Sequence, residues 1–271
     1  MLMFFKKEFI QTVSKREFFA SILVGFGLLF MGLGYFYSLN PSPPPGANPA
    51  YYNAFDAWRQ GLKAGIFVLF APLLASLSSA SSYLEERESR FSRYVLLRMP
   101  HRQYLVCKYL INVIVGGLSI AIPLLLFYGY TLLVYARSLP PLLQTPYTEE
   151  WMRAPGFLGG IYSLHPSLYI FARIGLGFVF GITYSTLGMA VSRFVHHKYL
   201  TTIIPLLFYW LLGFIANFIN LPVYWSAYAL QTDGILTSSL ANILLPMLLL
   251  FTLTTLCIFI SIKKYDSKEM Y

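Results

Sequence analysis

Charge is what this sequence has least of. Asp, Glu, Lys and Arg make up 11% of its 271 residues, where a soluble domain carries about 25%. Hydrophobic residues make up 57%, and so few charges could not cover that surface in water, so a water-soluble fold is excluded. There are 2 cysteines, Cys107 and Cys257, which form neither a disulfide framework nor a metal-ligand spacing. The 4 histidines, His101, His165, His196 and His197, all lie in or beside loops. The adjacent pair points two ways and has no nearby carboxylate, so no metal site is expected. No G-x-x-x-x-G-K-[ST] run occurs, so the chain has no phosphate-cradling loop and no ATPase site of its own. The basic excess, a formal +9, would suggest nucleic acid in a soluble protein. In a lipid-embedded one it asks which side of the membrane holds the charge, and no nucleic-acid partner is expected.

What is present is a set of long apolar runs. A helix needs roughly 20 residues to cross a bilayer core about 30 Å thick. Charge-free windows locate six such runs, read as helices at about 18–39, 64–84, 109–135, 168–192, 199–219 and 241–262. Unpaired backbone is not tolerated in lipid, so runs of this length are helices rather than strands. The expected fold class is an all-α membrane protein, with residues 1–271 forming a single transmembrane domain. The first run is long enough to span and no small-residue cleavage site follows it, so it is read as a span rather than a cleaved signal.

Lys and Arg give the orientation. One side of a six-span topology collects Lys6, Lys7, Lys15, Arg16, Arg87, Arg90, Arg93, Arg98, Arg102, Lys108, Arg193, Lys198, Lys263, Lys264 and Lys268. The other side collects Arg59, Lys63, Arg137, Arg153 and Arg173. Both termini are therefore expected in the cytoplasm. Residues 1–17, with Phe5, Phe9 and Val13 among Lys and Glu, read as an amphipathic helix in the interface plane. Arg173 is expected to snorkel from the outer end of span four. Phe55 and Trp58, with Tyr51 and Tyr52, suit the lipid headgroups, and the apolar loop from Asn220 to Leu240 suits a dip into the membrane.

Two features bear on function. Gly177, Gly181 and Ser185 fall at four-residue spacing on span four. Such a stripe lets helices approach closely, either within the chain or against a second subunit. The second feature is the loop between spans two and three, from Glu85 to Arg102. Its Phe91, Tyr94 and Val95 fit one face of a helix that Pro100 should end. A helix there could lie on anionic lipid or dock on a protein. The acidic Glu85, Glu86 and Glu88 fit anionic lipid poorly and favour a protein partner. Glu85-Glu86 followed by Arg90 also matches the paired-glutamate opening of CAAX-type intramembrane proteases, but no histidine on a later span completes that site. The spans contain no Asp, Glu or Lys at mid-membrane, against carboxylate-coupled transport. Ser76, Ser78, Ser79, Ser81 and Ser82 on span two suit either helix packing or contact with an amphipathic cargo.

Six spans, an amphipathic N-terminal helix and a charged helix between spans two and three resemble the permease subunit of ATP-binding-cassette exporters of the type-2 class. The local signature is Glu85–Glu88, Leu96-Leu97, Pro100, Arg102 and Lys108 followed by Tyr109-Leu110. The resemblance implies a multi-pass protein of a bacterial cell membrane that binds no cofactor itself. ATP and Mg would sit on separate ATP-binding-cassette ATPase subunits, and a second permease chain, identical or not, would complete the pathway. Glu86, Arg87, Glu88, Arg90, Phe91, Arg93 and Tyr94 would form the coupling helix gripped by the ATPase. The cargo would be an amphipathic peptide, lipid or drug-like molecule. A non-transporting membrane scaffold or immunity-type protein is the other alternative that the residues leave open.

Overall fold

The computed structural model describes residues 2–39, 54–63, 66–78, 100–135, 158–195, 197–221, 226–230 and 239–269. These residues are helical, with no strand among them: α1 Leu2–Val13, α2 Arg16–Leu39, α3 Ala54–Lys63, α4 Ile66–Leu77, α5 His101–Val134, α6 Gly159–Leu164, α7 Pro166–Val191, α8 Lys198–Phe218 and α9 Leu240–Glu269, with a 3-10 turn at Ser226–Ala229. Stretches of α2, α5, α7, α8 and α9 are each long and apolar enough to cross a membrane. The chain is a membrane-embedded helical protein.

The antiparallel pair α5 and α7 forms the centre of the bundle. Two thirds of the apolar window of α7 is buried inside the protein (67%), against 22% for α9. The first therefore packs among neighbours while the second turns most of its surface to lipid. Around α7 stand α4, α8 and α9, and α2 lies against α3, α4 and α5. One end of the bundle, the proximal end, gathers the starts of α2, α5 and α8 with α1. There Phe4, Tyr104, Leu105 and Tyr109 pack on Met189 and Ala190 of α7 and Ile258 of α9. The distal end joins Phe55, Tyr128 and Phe171.

Prolines 72, 123, 205 and 246 all lie inside helices. A proline there removes one backbone donor and crowds the carbonyl four residues earlier, so close neighbours matter at these positions. Gly25 of α2 supplies one such neighbour: a Cβ there would stand 3.0 Å from the Pro123 ring. Helix α8 ends through Asn220 at φ 55°. The Leu221 amide reaches back to the Ala216 carbonyl at 2.9 Å. Asn tolerates this left-handed position better than most side chains.

The structure departs from the sequence reading at the second window. The helix pair α3 and α4 meets there at a 75° bend, and α3, expected in an outer loop, is a buried helix. Its Ala54, Phe55, Ala57, Trp58, Arg59, Gly61 and Leu62 all face protein. Phe55 and Trp58 are thus core residues, not headgroup anchors. Gly61 permits this entry: a Cβ there would lie 2.5 Å from the Phe127 ring and 3.2 Å from the Leu29 carbonyl oxygen. Helix α5 also begins earlier than its window, at His101 rather than near 109.

Candidate functional site

The residues expected from the sequence to form a coupling helix, Glu86, Arg87, Glu88, Arg90, Phe91, Arg93 and Tyr94, lie outside the described residues. The point where their segment enters the bundle is described. Pro100 is extended, at φ −60° and ψ 140°, and its carbonyl accepts from the Gln103 amide at 2.9 Å and the Tyr104 amide at 3.2 Å. Pro100 thus leads directly into the first turn of α5.

The first two turns of α5 are locked to α1. Lys108 and Glu8 form an ion pair with both side chains 5% exposed. Thr12, one turn along α1 from Glu8, donates to the Glu8 carbonyl at 2.9 Å. Phe4, one turn the other way, lies 6.1 Å from the Tyr104 ring. Phe5, Phe9 and Val13 extend the contact onto Phe18, Ile111 and Val115. A buried pair of opposite charges costs desolvation and repays it only when both partners stay in place. The pair therefore fixes the register of α1 on α5 more than it adds net stability. A second pair, Lys198–Glu17 at 3.3 Å, ties the starts of α8 and α2. Both its side chains are about one third exposed, so its contribution is small.

The distal end holds a separate charged cluster. Arg59 pairs with Asp56 at 3.2 Å within α3. The Tyr162 hydroxyl of α6 donates to the same Asp56 carboxylate at 2.7 Å. The Arg59 guanidinium sits 5.0 Å from the Tyr162 ring centroid, and Tyr162 packs edge-on against Tyr169 at 5.0 Å. Arg173 stacks over Tyr169 at 5.3 Å. It is 2% exposed, so it does not snorkel as expected. Aromatic faces stabilise a desolvated guanidinium, which is how the bundle accommodates it. Burial, with the Asp56 charge next in importance, pushes the Tyr162 phenol well above its usual range. Trp58 anchors α3 beneath the cluster by donating to the Leu124 carbonyl at 3.1 Å.

The stripe Gly177, Gly181 and Ser185 is used inside the chain. A Cβ at Gly181 would stand 3.0 Å from the Gly117 Cα and closer still to the Gly116 carbonyl oxygen. A Cβ at Gly177 would lie 2.8 Å from Leu124, and the Ser185 hydroxyl donates to the Asn112 carbonyl at 3.3 Å. These three residues therefore pack on α5, and this face is not open to a second subunit. Ser76 likewise serves packing. Its hydroxyl lies 3.1 Å from the Leu73 carbonyl and 3.0 Å from the Thr202 carbonyl of α8. Ser79, Ser81 and Ser82 fall outside the described residues.

An apolar cavity of about 230 Å³ opens between α7, α8 and α9, lined by Tyr184, Leu212, Ala216, Pro246, Met247 and Leu250 among others. Among the described residues no group of three His, Cys, Asp or Glu could hold a metal ion. The sequence reading missed Glu8 and Asn112 as buried polar groups and Asp56 as a partly buried one. The spacing Phe4, Glu8, Thr12 was the available sign for the first, because it places Glu8 inside the packed stripe of α1. Comparison with known proteins returned no matching family model, no matching curated protein and no matching solved structure.

Proposed function

We propose that the chain is the membrane-spanning subunit of an ATP-driven exporter of the ATP-binding-cassette type, with ATP hydrolysed on a separate subunit. On this reading α3 and α4 together count as one broken span, giving six. Helix α1 lies at the membrane interface, and the proximal end faces the cytoplasm of a bacterial cell because 15 of the 20 Lys and Arg residues collect on that side. Residues 86–94 form the coupling helix, and a second permease chain completes a pathway for an amphipathic cargo.

One observation supports the reading most. Pro100, in the charged loop, leads directly into α5, and Lys108, two turns into that helix, pairs with Glu8 of α1. A push on the segment would act directly on the central helix of the bundle. A chain without a phosphate-cradling loop must receive such a push from a partner. An exporter subunit of this kind is not itself an enzyme.

Purification of the full chain from its native membrane should bring down an ATP-binding-cassette ATPase. Charge reversal at Arg87, Glu88 or Arg93 should abolish cargo-stimulated ATP hydrolysis by that complex while membrane insertion is unchanged. Full ATPase stimulation in the reversed variants, or a native complex with no ATPase in it, would refute the proposal.

A further inference from the structure

Asn112 lies on α5 one turn beyond Lys108 and one turn before Gly116, where α5 packs on α7. It is 4% exposed. Among the described residues, neither its side-chain nitrogen nor its side-chain oxygen has a hydrogen-bond partner. The polar groups one turn away along α5 and on the facing stretch of α7 are engaged. The Ser185 hydroxyl lies 3.3 Å from the Asn112 backbone carbonyl and 3.0 Å from the Ile182 carbonyl. Thr186 meets Thr254 at 3.3 Å, Tyr109 meets Thr255 at 2.8 Å, and Lys108 holds Glu8. A carboxamide carries two donors and an acceptor with two lone pairs. Leaving all of them unpaired in an apolar bundle is among the costliest arrangements for a neutral side chain.

We propose that Asn112 is an internal water site, holding water between α5 and α7 in the proximal half of the bundle. The ligand must both donate to the amide oxygen and accept from the amide nitrogen, as a water oxygen does. A metal cation would need several oxygen ligands, and a lone amide beside engaged hydroxyls does not supply them. Lys108, paired with Glu8, lies one helical turn nearer the proximal end, about 5.4 Å along α5. On the other side the backbones of Gly116 and Gly181 meet with no space for a Cβ. The water site therefore lies on the proximal side of the α5–α7 crossing. This holds whether or not the chain has an ATPase partner.

The test is water-edited solid-state NMR on the full chain in lipid bilayers, with asparagine side chains labelled with nitrogen-15. Asn112→Gln identifies the resonance by removing it from the labelled set while keeping an amide in place. The exposed Asn220 at the distal end serves as the wet reference. The expected result is transfer from water to the Asn112 amide, and loss of that signal in both Asn112→Gln and Asn112→Leu. An Asn112 amide that stays silent while Asn220 responds overturns the proposal. In that case Asn112→Leu melts at a higher temperature, because the change removes nothing but an unpaired amide.

Discussion

Two glycines of α7 offer a matched test of how the bundle is held. At Gly181, a methyl group would meet the backbone of α5, 3.0 Å from the Gly117 Cα and nearer still to the Gly116 carbonyl oxygen. Backbone atoms cannot rotate away as a side-chain tip can. Helices α5 and α7 would have to separate by several tenths of an ångström along their main contact. Overpacking of this kind costs about 1–3 kcal/mol, and the better helix propensity of alanine returns about 0.5–1 kcal/mol. The net expectation for Gly181→Ala is a loss of up to about 2.5 kcal/mol. At Gly175, six residues earlier in the same helix, nothing lies within 4 Å of the added Cβ. Gly175→Ala should therefore be neutral or slightly stabilising. Reversible unfolding in mixed detergent micelles would measure both. Equal effects at the two positions would refute the packing argument. A third outcome, an oligomer that dissociates in Gly181→Ala while the protomer keeps its stability, would place the stripe between subunits instead.

Other expectations follow from the charged clusters. Lys108→Met leaves Glu8 buried without its counter-charge and should cost about 3–5 kcal/mol. Adding Glu8→Gln to Lys108→Met should recover most of that loss in the same unfolding assay. The Tyr162 phenol is pushed up in the folded state by burial and by Asp56, so its neutral form is the one the fold favours. The stability it contributes is complete below the ordinary tyrosine range near pH 10 and is lost as pH rises beyond it. The melting temperature should then fall more steeply above about pH 10 in the wild type than in Tyr162→Phe. Trp58→Phe keeps the ring packing but loses the bond to the Leu124 carbonyl, with an expected cost of about 0.5–1.5 kcal/mol.

The apolar helices were legible in the sequence because a long charge-free run in a lipid-embedded chain leaves the backbone little choice. Four of the windows differ from the observed helices by only a few residues at most ends. The reading failed where a charge is neutralised by a distant residue. The window after Lys108 starts too late because it counts Lys108 as a boundary. Its partner Glu8 lies 100 residues away, and no local count can find it. The same reasoning put Arg59 in a loop and let Arg173 snorkel. Asp56, Tyr162 and Tyr169 converge on these arginines only in the folded chain. Asn112 was invisible for the opposite reason. An uncharged amide does not interrupt a charge-free window, so the run from 109 to 136 read as uniformly apolar. The small-residue stripe was legible as a close approach, but its partner helix was not, since glycine spacing carries no information about what lies opposite.

Helix α5 connects these features. Lys108 lies two turns into it, Asn112 and Gly116 follow one and two turns later, and its distal half presents the Leu124 carbonyl to Trp58 and the Phe127 ring to Gly61. At 34 residues it is about 50 Å long. The place where such a helix would give way is Pro123, where a backbone hydrogen bond is missing. That weak point is braced, because Gly25 of α2 brings its backbone against the proline ring. A tilt applied at Pro100 would therefore travel past the proline rather than dissipate there. At the distal end it would meet Gly61, where the Phe127 ring already occupies the space of a Cβ. That contact ties α3, which carries Asp56 and Arg59 of the distal cluster, to α5. The two ends of the bundle are thus linked by packing on one helix, and the Glu8–Lys108 pair links α1 to that same helix.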